Sequence, residues 1–105
     1  WETQDRARDI AAAKAGWEEA KKFILNPEIG FILLDEINIA LRYDYLDIDE
    51  VVEFLLTKKP PMTHVVLTGR NAKEELITAA DLVTEMSLIK HPFRDGIRAQ
   101  KGIEF

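Results

Sequence analysis

The chain reads as an α/β domain, a mainly parallel sheet with flanking helices, and three observations predict it. A stripe of apolar residues at helical spacing comes first, short apolar runs follow at residues 31–34 and 64–68, and stretches with helix-capping chemistry stand beside those runs. Helix and strand therefore alternate, which is the order that lays parallel strands beneath crossover helices.

Over residues 5–25, Ile10, Ala13, Trp17, Ala20 and Ile24 recur at spacings of three and four, predicting an amphipathic helix that packs on a sheet. Pro27 disfavours helix at Asn26 and ends it there. Phe31, Ile32, Leu33 and Leu34 form a run too short for a helix, expected to be a central parallel strand buried on both faces. Asp47 stands three residues before Glu50 and ahead of Val51, Val52, Phe54, Leu55 and Leu56, the arrangement of a capping box opening a helix. Lys58 and Lys59 suit the last turn of that helix, where the dipole is negative, and Pro60-Pro61 closes it. Residues 64–68 read as a second strand, and Gly69-Arg70-Asn71 as a turn into a helix over 73–80. Residues 82–89 read as a third, less cleanly patterned strand, and 100–105 as a short fourth. Right-handed crossovers put the carboxyl ends of parallel strands on one edge, where such sheets bind ligands. Asp35, Glu36, Thr68, Gly69 and Arg70 are therefore expected to lie near one another.

A length of 105 residues suits a single core, and 47% hydrophobic with 31% charged residues excludes disorder. No window approaches the roughly 18 apolar residues of a membrane span, and the opening residues lack the basic and apolar regions of a signal peptide. A cytoplasmic location is the expectation. With no cysteine there is no disulfide framework and no thiolate ligand or nucleophile, and two histidines far apart, His64 and His91, make a zinc site improbable. A net charge of -5 argues against nonspecific nucleic-acid binding, which draws on Lys and Arg against phosphate.

The run Phe31-Ile32-Leu33-Leu34-Asp35-Glu36 matches the Walker B pattern of P-loop nucleotide-binding proteins, in which the first acid holds Mg²⁺ and the second orients or accepts a proton. Mg²⁺ takes one or two carboxylates plus phosphate oxygens, so the pair suits it. The alternative is a strand that ends in solvated acids. A Walker A loop, which would cradle phosphates with backbone N–H groups, is not found, because none of the five glycines has its spacing. Since the chain starts on Trp1, a large apolar residue, and not on methionine, it is expected to be a fragment whose loop lies upstream. In Thr68-Gly69-Arg70 the glycine permits close ligand approach and the arginine can pair with phosphate or carboxylate. A salt bridge from Arg70 to Asp35 or Glu36 is the competing role. Arg42-Tyr43-Asp44-Tyr45 offers aromatic stacking to a ligand, or tyrosines that bridge core and surface. His64 reads as a strand-edge residue and His91-Pro92 as a turn.

Several blocks together resemble one family. Trp1-Glu2-Thr3-Gln4, Leu33-Leu34-Asp35-Glu36, Tyr43-Asp44-Tyr45-Leu46, Glu50-Val51-Val52, Thr68-Gly69-Arg70, Ala80-Asp81-Leu82-Val83-Thr84-Glu85, Lys90-His91-Pro92-Phe93 and the closing run from Gly96 to Phe105 are similar, in order, to the carboxyl-terminal part of ATP:corrinoid adenosyltransferases of the CobA/BtuR/CobO type. The resemblance implies a partial P-loop NTPase (RecA-like) fold and a homodimeric enzyme. It also implies transfer of the 5'-deoxyadenosyl group of ATP to the cobalt of a reduced corrinoid, with triphosphate released. By the same resemblance Asp35 and Glu36 would hold Mg²⁺ against the ATP phosphates, Glu36 and Arg70 would act in catalysis, and Trp1 would face the corrinoid. Residues 1–105 would then be one domain, the Walker B portion of the enzyme, inactive alone for want of the phosphate loop. Two rivals stay open here: a piece of another P-loop ATPase or kinase, and a noncatalytic interaction module.

Overall fold

The computed structural model describes residues 5–90. Helix α1 (Arg6–Leu25) starts where the Asp5 carboxylate accepts the Arg8 backbone N–H at 2.9 Å, satisfying one of the amide groups a helix start leaves unpaired. It stops at Asn26, which is extended as a residue before proline must be. Trp17, Ala20 and Ile24 are buried on its inner face, so the apolar stripe does what its spacing predicts.

Strand β1 (Phe31–Leu34) follows, then α2 (Ile37–Arg42), α3 (Ile48–Thr57), β2 (His64–Leu67) and α4 (Glu74–Ala79). The strands pair in parallel, with Phe31 opposite His64 and Leu34 opposite Leu67. Because strand side chains alternate between faces, Ile32, Leu34, Val65 and Leu67 share one face and Phe31, Leu33 and Val66 share the other. The first face meets Trp17, Ile24, Leu41 and Val51 in a single core. Ile24, Leu41 and Val51 are wholly enclosed there, and each such burial contributes about 1.5–3 kcal/mol. The second face is open: Phe31 is 62% exposed and Leu33 53%. The expectation of a strand buried on both faces is thus corrected, since every described helix that contributes to the core packs on the Ile32 side.

Three further corrections concern elements. Residues 82–89 form no strand; the hydrogen-bonded sheet among the described residues ends with β1 and β2, and without a neighbouring strand the segment leaves Leu82, Met86 and Ile89 in solvent. The expected fourth strand lies outside the described residues. Asp47 does cap α3, but its carboxylate accepts from Asp49 at 3.0 Å, and Glu50 turns toward Lys21 instead of closing a box. The lysines do not occupy the last turn of α3: Lys58 is its cap, and Lys59 lies beyond, where its Nζ donates to the Pro60 and Thr63 carbonyls at 3.0 and 2.8 Å.

Helix α2 was not anticipated from the sequence. Its end is a Schellman motif: the Asp44 N–H donates to Leu41 and the Tyr45 N–H to Ala40, with Asp44 in the left-handed region at φ 58°. Asp44 holds a place that glycine usually fills, and its carboxylate meets Lys73 Nζ at 2.7 Å, tying the end of α2 to the start of α4.

Candidate functional site

Parallel pairing brings the carboxyl ends of β1 and β2 side by side, and Thr68 joins them. Its N–H donates to the Leu34 carbonyl at 3.2 Å, extending the ladder by one step, and its own carbonyl accepts the Asn38 N–H at 3.3 Å. Its hydroxyl accepts the Glu36 N–H at 3.0 Å and donates to Asp35 Oδ1 at 3.0 Å. One residue of β2's end is therefore bonded to both acids at the end of β1 and to the helix that follows them.

Backbone geometry here departs from the ordinary. Glu36 has φ 60° and ψ 19°, a left-handed conformation that costs a non-glycine residue of order 1 kcal/mol, and it stands at the amino end of α2 without using its carboxylate as a cap. Gly69 has φ 137°, and a Cβ on it would lie 2.7 Å from the Cβ of Asn38, so only glycine fits this loop. Asn38 is buried beneath it, with its side-chain oxygen unpaired among the described residues.

Asp35, Glu36, Thr68, Gly69 and Arg70 thus occupy one edge, as the topology predicts. Asp35 and Glu36 are exposed, and no ion pair or hydrogen bond engages the Glu36 carboxylate or the Arg70 guanidinium among the described residues. The competing role for Arg70, a salt bridge to either acid, is accordingly not formed. Beside the acids runs a groove of about 320 Å³, walled by Ala13, Gly16 and Trp17 of α1 and by Ala40 of α2, with Asp35 and Glu36 at its rim. A second hollow of about 490 Å³ lies between α3 and α4 and touches none of these residues.

Trp1 and His91 lie outside the described residues. His64 begins β2, at the end of the sheet opposite the acids. Tyr43 and Tyr45 stack with ring centroids 5.8 Å apart, and Arg6 and Arg42 lie over Tyr45 and Tyr43 at 5.2 and 5.7 Å. With Tyr45 buried, the patch fits the core-to-surface role.

The described residues assemble no group of three or more His, Cys, Asp or Glu around a common point. Mg²⁺ asks for less from a protein, namely one or two carboxylates with phosphate and water completing the octahedron. Asp35 gives one oxygen to Thr68 and keeps the other open, next to an uncommitted Glu36, so the donor set fits Mg²⁺ carried on a phosphate ligand.

The residues missed from sequence are Asn38, whose helix went unforeseen, and the double role of the Thr68 hydroxyl. A β-branched residue ending a strand gave no hint of the second.

A parallel sheet with two acids after one strand and a Thr-Gly-Arg loop after its neighbour defines an α/β protein whose polar site lies at the carboxyl edge. The chain belongs to the ATP:corrinoid adenosyltransferase family BtuR/CobO/CobP, whose model matches residues 1–105. It is similar to a corrinoid adenosyltransferase of Sinorhizobium sp at 70% identity and to one of Pseudomonas aeruginosa at 54%, each over all 105 residues. A corrinoid adenosyltransferase of Escherichia coli K12 is 37% identical over the same span. The chain spans about half the length of these curated relatives, 49%, 51% and 53% respectively. No helix among the described residues is long and apolar enough to cross a membrane.

Proposed function

We propose that this chain is the acid-bearing, Walker B portion of an ATP:corrinoid adenosyltransferase of P-loop (RecA-like) fold, a cytoplasmic homodimer in its whole form. The whole enzyme transfers the 5'-deoxyadenosyl group of ATP to the cobalt of a reduced corrinoid and releases triphosphate. The observation that carries the reading is the pair Asp35 and Glu36, held at the end of a parallel strand by Thr68, in a chain matched throughout by the family model.

In this reading the acids work on the leaving group. Asp35 and Glu36 present hard oxygens toward the triphosphate, and Mg²⁺ bound there would offset the charge that builds on it as the bond to the ribose carbon breaks. Arg70, unpaired by the acids, reaches for a phosphate oxygen as a fork of N–H donors. Trp1 supplies an aromatic surface to the corrinoid. The contribution of the protein is alignment, which can be worth several kcal/mol of barrier when two large substrates must meet end to end.

Replacing Trp1 by alanine in the intact enzyme tests the corrinoid half of the proposal. Adenosylation of cob(I)alamin should fall while ATP binding, followed by calorimetry, stays unchanged. Equal loss of both, or of neither, contradicts the assignment.

A further inference from the structure

We propose that Thr68 is the positioning residue of Asp35: its hydroxyl sets the carboxylate so that one oxygen is tied to the protein and the other faces a nucleotide-bound cation. The inference rests on the reading of Asp35 and Glu36 as the Mg²⁺-triphosphate acids.

The hydrogen-bond chemistry leaves the hydroxyl one arrangement. A hydroxyl has one proton to give, and a backbone N–H and an ionised carboxylate can only donate and accept, respectively. Because the Glu36 N–H approaches Thr68 Oγ1 at 3.0 Å, that oxygen accepts, and its own proton goes to Asp35 Oδ1 at 3.0 Å. A bond to a charged acceptor is the stronger kind and holds the carboxylate against rotation. The donor itself is well anchored: Thr68 is bonded on both sides of its backbone, to Leu34 and to Asn38, and its β-branched side chain has few rotamers. Its hydroxyl also gives the left-handed Glu36 a partner for its N–H, so one oxygen governs the direction of one acid and the backbone of the other. Outer groups that orient metal-binding side chains typically alter metal affinity by about 10- to 100-fold when removed. Valine at this position keeps the shape and loses the proton; serine keeps the proton.

The test uses the intact enzyme in excess over ATP, without corrinoid, and follows bound Mn²⁺ by electron paramagnetic resonance. Thr68→Val should weaken Mn²⁺ by about 10-fold or more, and Thr68→Ser should stay near the unmodified protein. Equal affinity in the valine and unmodified proteins, or equal weakening by valine and serine, overturns the proposal. Should the valine protein not fold, Thr68→Ala serves in its place: weaker than serine supports the role, and equal to serine overturns it. Asp35→Asn separates the two levels. If it weakens Mn²⁺ while Thr68→Val does not, only the role of Thr68 fails; if it leaves Mn²⁺ unchanged, the reading of the acids fails and takes the role of Thr68 with it.

Discussion

At the scale of single residues, the chain places unusual backbone where two elements meet. Glu36, Asp44 and Asn71 all have positive φ without being glycine, and Glu36 and Asp44 flank α2 on either side. Each of these two is held by a partner from the β2 side of the molecule: Thr68 bonds the Glu36 amide, and Lys73 bonds the Asp44 carboxylate. The Lys73 ammonium, as hydrogen-bond donor and as charge, holds the Asp44 carboxyl below its ordinary value, with a smaller contribution from the charge of Arg6. A carboxyl lowered on folding stabilises the native state above its unfolded pKa of about 3.9, and that stabilisation is lost as pH falls through the folded value. The thermal midpoint of the intact protein should therefore exceed that of Asp44→Asn at pH 6, with the gap closing below about pH 4. Since the Asp44 carboxylate is exposed, the gap should also shrink in high salt. A gap that persists unchanged at pH 2 would mean the contribution is not the ion pair.

Between elements, an aromatic contact joins α1 to α3. Trp17 is buried and meets Phe54 edge to face with ring centroids 5.4 Å apart, and Lys21 lies above both rings. Trp17→Ala should cost about 3–5 kcal/mol in urea unfolding of the intact protein, because it removes a ring and leaves a cavity. Lys22→Ala, which removes an exposed pair with Glu19, should cost less than about 1 kcal/mol; similar losses for the two would contradict the packing described. The same contact shows what was legible in the sequence. The stripe from Ile10 to Ile24 announced α1, its buried face beginning at Ala13, and Phe31–Leu34 announced β1 to the residue, since both rest on local spacing. Helix α2 escaped because its six residues follow a left-handed Glu36 that carries no sequence signal, and its first turn is met from Thr68, thirty residues on. The segment 82–89 was misread for the converse reason: apolar residues suit a strand only where a neighbour exists to pair with it. The gathering of Asp35, Glu36 and Arg70 was legible from topology alone, whereas the Thr68 bonds were not, because hydroxyl geometry is set only when both strands are in place.

For the whole molecule, one bare face dominates. Phe31, Leu33 and Val66 present apolar surface on the side of the sheet away from the core, β1 has no second neighbour among the described residues, and the chain spans about half of its relatives. Open strand edges and contiguous apolar patches promote association. The 105-residue polypeptide by itself should therefore self-associate, and light scattering that shows a clean monomer at high concentration would contradict this. Asp35 is proposed to serve Mg-triphosphate in an adenosyltransferase, and steady-state transfer from ATP to cob(I)alamin by the intact enzyme is the sharpest test of that role. Asp35→Asn should lower kcat by about 100- to 1,000-fold, as loss of one transition-state charge contact typically does, with Glu53→Gln on the exposed side of α3 as the unaffected control. An Asp35→Asn enzyme that turns over at the unmodified rate would return Asp35 to the status of an acid at which a strand merely surfaces.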